Sequence, residues 1–103
     1  MFSCARSAPC RLFSSQLKDW YHEHKAECPR ALEIIYVSHD RDQDQFDEYF
    51  STHPWLAVRF RDAREVRTAF HANFNINVVP TLLLFDGKGN LITQNGRRVV
   101  TLL

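Results

Sequence analysis

The sequence predicts an α/β fold in which helices flank a central mixed sheet. Apolar, β-branched stretches alternate with segments whose apolar residues recur at helical spacing, a pattern typical of parallel strands joined by helices. The last two apolar stretches are separated only by the turn D-G-K-G-N at 86–90, which indicates an antiparallel hairpin. With 103 residues, of which 45% are hydrophobic and 24% charged, the chain is expected to form one globular domain over 1–103.

Each predicted element rests on its own run of apolar residues. Residues 1–4 have the character of the end of a buried strand, and a helix is expected over about 9–25. The β-branched run 32–37 predicts a central strand, and two shorter helices follow it. The run 78–85 and residues 91–93 predict the two strands of the hairpin. The apolar stripes of the three helices are Phe13, Leu17, Trp20, Tyr21 and His24; Phe46, Tyr49 and Phe50; and Ala63, Val66, Phe70 and Phe74.

Charge and cysteine content narrow the class of protein. The net charge of +1 gives no sign of a nucleic-acid or membrane-binding surface, and the apolar runs are too short to cross a bilayer. Three cysteines are an odd number and do not indicate a framework of disulfide bonds. This favours a reducing compartment and therefore the cytoplasm. The acids Asp40, Asp42 and Asp44 lack the glycine and the final acid of a calcium loop. We expect no metal, no other cofactor, and no nucleic-acid or membrane partner.

Two short stretches have the features of a redox site. R-S-A-P-C-R at 6–11 has the spacing of a thiol redox motif, with a serine in the first reactive position. Pro80 immediately precedes an apolar strand, although proline cannot donate to a strand ladder. Either Pro80 starts that strand, or the Val79–Pro80 bond is cis and holds a tight backbone.

Together these stretches resemble the tryparedoxin and nucleoredoxin branch of the thioredoxin-fold superfamily. Residues 2–13 are similar to the pattern Y-F-S-A-S-W-C-P-P-C-R-x-F, and 53–60 are similar to P-W-L-A-V-P-F. V-P-T-L at 79–82, followed by G-R at 96–97, also fits this group. The resemblance implies a thioredoxin-like fold truncated at both ends, without the family's N-terminal element and C-terminal helix. It also implies a cis Val79–Pro80 bond with Pro80 close to the loop 7–10.

The resemblance further assigns an activity and its residues. It implies thiol–disulfide exchange with protein disulfides, such as those of peroxiredoxins, in the cytoplasm and also the nucleus. Ser7 stands at the position of the attacking cysteine, and Cys10 stands at that of the resolving cysteine. The residues expected to contact substrate are Arg6, which replaces the family's tryptophan, and Trp55, Val79 and Pro80.

From the residues themselves, Ser7 is better explained as a helix cap than as a nucleophile. The attacker in thiol–disulfide exchange is a thiolate, and nothing near Ser7 in the sequence has the character of a general base. Serine followed by Ala-Pro is a good N-cap, whether it is natural or an engineered replacement of cysteine. Cys10 is either a small buried apolar residue or a redox thiol, and a bond from Cys4 to Cys10 depends on geometry. Cys28 is expected to be an exposed thiol.

Two classes of function follow. The first is a tryparedoxin- or nucleoredoxin-like oxidoreductase domain whose S-A-P-C motif leaves its activity weak or absent. The second is a non-catalytic thioredoxin-fold module that binds protein partners, or acts in redox signalling, through a groove around Trp55 and Pro80. We also expect the domain to be marginally stable and prone to associate, because the first strand is short and apolar surface is left uncovered.

Overall fold

A computed structural model describes residues 1–27 and 32–102 of the chain, so Cys28 lies outside the described residues. Strands and helices alternate along the chain before the hairpin, as the sequence predicts. In the described part of the chain, no helix is both long and apolar enough to cross a membrane. The elements are β1 (Phe2–Ser3), α1 (Ala8–Glu27), β2 (Ile35–Ser38), α2 (Gln43–Phe50), β3 (Leu56–Ala57), α3 (Phe60–Phe74), β4 (Leu84–Phe85), β5 (Leu91–Thr93) and α4 (Gly96–Leu102).

The first strand has backbone partners on both sides. β1 pairs in parallel with β2, which in turn pairs in parallel with β3. On its other side, Phe2 and Thr81 exchange two backbone hydrogen bonds, with N···O distances of 2.8 and 3.0 Å. From Thr81 the chain continues into β4, which pairs antiparallel with β5. The described strands thus form a parallel three-stranded sheet and an antiparallel two-stranded sheet, which the Phe2–Thr81 bridge joins in the predicted order, parallel first and antiparallel at the end.

Adjacent residues of the strands supply two separate apolar clusters. Met1, Tyr36 and Leu82 belong to one cluster, which includes the buried face of α1. The residues that follow each of them belong to the other cluster, which packs against α3. In an extended chain, successive side chains point to opposite faces of the sheet, which explains why neighbouring residues belong to different clusters. The buried members of the second cluster are Phe2, Val37, Ala63 and Leu83.

The structure differs from the predicted elements in four places, the first of which is the central strand, predicted over 32–37 and observed as β2 over Ile35–Ser38. β3 and α4 were not predicted from the apolar pattern. β3 has two residues and α4 has seven, and elements this short do not repeat an apolar position often enough to be detected. The predicted strand 78–85 is shorter in the structure, with an isolated bridge at Thr81 and a ladder only at β4. Pro80 has no N–H to offer a ladder, and the carbonyl oxygen of Leu82 accepts the N–H of Gly96 instead. The Val79–Pro80 peptide bond is cis.

Candidate functional site

Ser7 caps the helix that carries the motif. It lies immediately before α1, and its Oγ accepts a hydrogen bond from the backbone N–H of Cys10 at 3.4 Å. Its carbonyl oxygen accepts the N–H of Arg11 at 3.0 Å, which starts the helical ladder. The first turn of α1 carries no acidic residue. The first turn of α1 itself therefore supplies no carboxylate to compensate the positive end of the helix.

The loop between β1 and α1 is tied to the end of β2. The N–H of Ala5 donates to Oδ1 of Asp40 at 2.7 Å, and Nη1 of Arg6 donates to the carbonyl oxygen of His39 at 2.5 Å. Nη1 of Arg11 donates back to the carbonyl oxygen of Ala5 at 2.6 Å. These bonds hold the backbone on both sides of Ser7 in one conformation. Arg6 itself is exposed.

Asp40 is a buried carboxylate that the sequence analysis considered only as part of a rejected calcium loop. Besides the N–H of Ala5, it accepts hydrogen bonds at Oδ2 from the hydroxyls of Tyr36 and Ser38, both at 2.6 Å. A buried carboxylate requires this number of donors to offset the loss of its hydration. Asp40 is thus the residue through which β2 fixes the start of the motif loop.

Tyr49 joins α2 to the first turns of α1. Its hydroxyl lies 2.5 Å from Oγ of Ser14 and 3.2 Å from Oγ of Ser3, and it donates to the carbonyl oxygen of Cys10 at 3.3 Å. Burial raises the pKa of Tyr49 above its usual value, so the hydroxyl remains a donor at any physiological pH. Cys10 is therefore held from the side of α2 as well as by its own helix.

Cys4 and Cys10 are both free thiols, and both are buried. Burial raises the pKa of the Cys4 thiol, and Cys10 raises it further. The positive charge of Arg6 acts in the opposite direction and lowers the pKa of the Cys4 thiol. Both thiols are therefore covered by the surrounding structure.

Pro80 is fully buried, and its carbonyl oxygen is held by α4. Nη1 of Arg97 donates to that oxygen at 3.2 Å, and the guanidinium lies 5.6 Å from the ring centroid of Phe13 in α1. Val79, beside it, packs against the cluster on the α3 side of the sheet. Arg97 thus links Pro80 to the motif helix. Close contact of Pro80 with the loop 7–10 stays a prediction.

Trp55 does not lie beside Pro80. Its side chain is 4% exposed and packs in the core, with its ring centroid 5.8 Å from that of Tyr21. It immediately precedes β3, which is separated from the Thr81 bridge by both β2 and β1. A substrate-binding role for Trp55 stays a prediction, and its burial leaves little surface for such a contact.

Two histidines near the site are held neutral. Burial lowers the pKa of His39 to about 4, and Arg67 and Arg6 contribute to the shift. Burial likewise lowers the pKa of His53 to about 4, with a smaller effect from Lys18. The ring centroid of His53 lies 4.9 Å from that of Trp55. Neither histidine donates to or accepts from Ser7 in the described part of the chain.

Comparison with known proteins shows which family has this sequence and fold. A family model described as thioredoxin-like matches residues 1–91. Nucleoredoxin from Bos taurus is 40% identical over 93% of the chain, and probable nucleoredoxin 1 from Arabidopsis thaliana is 37% identical over 96% of it. The chain belongs to the thioredoxin-like family, in its tryparedoxin and nucleoredoxin branch. It spans 22% and 17% of the length of these two relatives.

Solved structures of tryparedoxins show the same fold as this thioredoxin-like chain. Tryparedoxin II from Crithidia fasciculata superposes with a TM-score of 0.90 at 32% identity, covering 98% of this chain and 65% of that one. A structure of tryparedoxin II complexed with glutathionylspermidine gives a TM-score of 0.89 at 31% identity, covering 98% of this chain and 69% of that one. The fold class predicted from the sequence is confirmed.

Proposed function

We propose that the chain is a thiol–disulfide oxidoreductase domain of the tryparedoxin and nucleoredoxin type whose turnover is weak or absent. The observation that carries this proposal is the cap, in which Oγ of Ser7 accepts the N–H of Cys10 at the start of α1. In this branch the residue at the helix start is the attacking cysteine, whose thiolate is stabilised by the helix N-terminus. A serine hydroxyl is not ionised there and needs a general base to attack.

Cys10 does not replace the missing attacker. Its side chain has no exposed surface, and it is held between α1 and Tyr49. A disulfide substrate must bring one of its sulfur atoms into line with the attacking sulfur, which a fully buried thiol resists. We therefore expect at most slow formation of mixed disulfides at Cys10.

The substrates that fit the proposal are disulfides of proteins and of small thiols. Protein disulfides such as those of peroxiredoxins are proposed from the sequence resemblance. Small thiols are supported by the related tryparedoxin II that was solved in complex with glutathionylspermidine. The reducing environment indicated by the cysteine content places this chemistry in the cytoplasm and also the nucleus.

The decisive experiment restores the thiol at residue 7. The chain and the Ser7→Cys variant are compared in the reduction of insulin by dithiothreitol, with Ser7→Ala as a control that removes the hydroxyl without adding a thiol. We expect turnover only with Ser7→Cys, because it alone puts a thiol at the start of α1, next to the loop that Asp40 and His39 hold.

Two results would contradict the proposal. Equal turnover by the unaltered chain and Ser7→Cys would show that residue 7 is not the attacking position. An inert Ser7→Cys variant with an unchanged circular dichroism spectrum would show that the fold lacks the rest of the site.

A binding module is the second candidate, and a cavity with several charged side chains at its wall, next to the motif, favours it. This cavity, of about 520 Å³, is lined by Arg6, Arg11 and Lys18 together with Glu48 and Tyr49. Three cations at its wall suit an acidic segment of a partner protein. Binding of a partner without turnover, in both the unaltered chain and Ser7→Cys, would support this reading.

A further inference from the structure

A smaller cavity lies between α3 and the end of β2, and the function proposed above does not use it. Its volume is about 240 Å³. The residues that line it are Phe2, His39, Arg67, Thr68, His71 and Ile76. The wall therefore contains one guanidinium, two imidazoles and a hydroxyl, and none of the described residues that form it is acidic.

Arg67 supplies the positive charge of this cavity and is fixed in place. It is partly buried, and its Nη1 donates to the carbonyl oxygen of Ser38 at 2.6 Å. A guanidinium has several N–H donors, so this bond leaves the others for further acceptors. Arg67 forms no salt bridge with a carboxylate of the described residues, and Asp62 on the same helix pairs with Arg59. A partly buried cation is usually paired, because burial removes hydration that must be replaced.

A second guanidinium is anchored at the same end of β2. Nη1 of Arg6 donates to the carbonyl oxygen of His39, the residue after the one that Arg67 holds. Arg6 is exposed and likewise has no salt bridge within the described ranges. The carboxylate of Asp40 comes next in the chain, but it accepts its hydrogen bonds from uncharged groups. Asp40 can offset one of the two charges, so the end of β2 keeps a net positive charge.

The two imidazoles at the wall do not oppose an anion. Burial lowers the pKa of His39 to about 4, and the charges of Arg67 and Arg6 add to the shift, so this ring is neutral. Nδ1 of His71 donates to the carbonyl oxygen of Ile76 at 2.7 Å, which holds the second ring at the wall. An anion that enters the cavity therefore meets a fixed cation and two polar rings.

We propose that this cavity binds a phosphate group, either as the free ion or as a phosphate ester. The planar N–H groups of arginine match the spacing of phosphate oxygens. A phosphate group carries about two negative charges at neutral pH, which suits the net positive end of β2 better than a single carboxylate does. Arg67 donates to the phosphate, and Arg6 adds attraction from outside the cavity wall. The proposal goes beyond thiol–disulfide chemistry and does not depend on residue 7.

The test is a titration of the isotope-labelled, unaltered chain with sodium phosphate, followed in two-dimensional amide NMR spectra. Ionic strength is held constant with sodium chloride, because salt screens the attraction between exposed charges. We expect saturable shifts of the amides of residues 39 and 67–71. Methyl phosphate and sodium acetate are titrated in the same way, and acetate should bind more weakly than either phosphate. Tighter binding of methyl phosphate would identify an ester as the ligand, and tighter binding of phosphate would identify the free ion.

Variants at Arg67 show whether its guanidinium holds the phosphate. Arg67→Gln should weaken phosphate binding at least about tenfold, because charge-assisted hydrogen bonds are lost. Arg67→Lys keeps the charge but not the planar donors, and it should bind with intermediate affinity. Lys88→Gln is the matched control and should leave the affinity unchanged. It removes one charge in the turn after β4, and the chain from Thr81 to that turn runs antiparallel to β1 and away from the motif loop.

Shifts that grow linearly and that chloride produces equally would overturn the inference, as would shifts centred on residues 7–10 at the start of α1. Equal affinities for phosphate and acetate would overturn it too. So would equal affinities of the unaltered chain and a folded Arg67→Gln variant. If that variant does not fold, the same comparison with Arg67→Lys decides. Because the readout is binding to the unaltered chain, none of these outcomes depends on the insulin assay of Ser7→Cys.

Discussion

His53 is a neutral imidazole inside an aromatic cluster. Its ring centroid lies 4.4 Å from that of Tyr49 and 5.2 Å from that of Tyr36, and neither ring nitrogen has a partner among the described residues. A charged ring in these surroundings would lose its hydration without gaining a hydrogen bond, which is why burial lowers its pKa to about 4. The free energy of unfolding therefore depends on pH through the protonation of His53.

We predict that the free energy of unfolding falls as the pH drops from about 6.5 to about 4. An unfolded histidine has a pKa near 6.5, so across this window the unfolded chain binds a proton that the folded chain excludes. His39, whose pKa is also lowered by burial to about 4, acts in the same direction. In urea titrations at several pH values, His53→Phe should lose less stability across the window than the unaltered chain.

The unaltered chain and His53→Phe are compared by the slope of the free energy of unfolding against pH, and not by its value at one pH, because phenylalanine also changes the packing. Equal slopes for the two proteins would show that His53 is charged in the folded state or exposed to water.

At the scale of elements, α4 is joined to the segment after Pro80 by a very close approach. The N–H of Gly96 donates to the carbonyl oxygen of Leu82 at 2.9 Å. A Cβ added at Gly96 would lie 2.7 Å from that oxygen and 2.8 Å from Cγ of Leu82. The next residue, Arg97, holds the carbonyl oxygen of Pro80. The glycine therefore sets how near α4 comes to the candidate site.

We predict that Gly96→Ala lowers the free energy of unfolding by roughly 1–3 kcal/mol, the usual cost of forcing extra atoms into a packed site. Gly87→Ala is the matched control, since an added Cβ there has no heavy atom within 4 Å. It should change stability by no more than about 0.5 kcal/mol. Denaturant unfolding of the two variants checks both values, and similar stabilities would mean that α4 moves away without cost.

Helices were predictable from the sequence to the extent that their apolar stripes were long. The stripe from Phe13 to His24 predicted α1 with its ends within two residues of those observed, Ala8–Glu27. α4 was missed because a helix of seven residues, about two turns, is too short to show a repeated apolar stripe. The cap at Ser7 was predictable since it involves neighbours three and four positions apart.

The rest of the candidate site depends on contacts that no local pattern reveals. Asp40 reaches Ala5 across 35 positions, Tyr49 reaches Cys10 across 39, and Arg97 reaches Pro80 across 17. The resemblance placed Trp55 near Pro80, but the order of the strands separates them.

For the whole molecule, apolar surface is left uncovered at a place where residues of both apolar clusters meet. A cavity of about 530 Å³ opens there, lined by Met1, Ile35, Val37, Leu84 and Phe85 among other residues. Ile35 is 50% exposed and Phe85 is 38% exposed. An open apolar surface of this kind lowers the cost of contact between two protein molecules.

We predict that the chain associates as its concentration rises, and that its thermal unfolding depends on concentration. In sedimentation velocity, Ile35→Thr should shift association to higher concentration, because it replaces a cavity-lining side chain and keeps the β-branched shape. Ile92→Thr is the control, since Ile92 is 65% exposed but does not line the cavity. A sharp unfolding transition at high temperature, unchanged over a wide range of concentrations, would contradict the prediction.

The contact between His53 and Trp55 makes the core optically sensitive to acid. A protonated imidazole quenches the fluorescence of a neighbouring indole more strongly than a neutral one does, and these two ring centroids are 4.9 Å apart. Trp20, the second tryptophan, stacks on His24 at 4.3 Å and can be removed from the signal by Trp20→Phe. The fluorescence of Trp55 should then decrease as His53 takes up its proton, so the core contains an intrinsic optical probe of its own protonation.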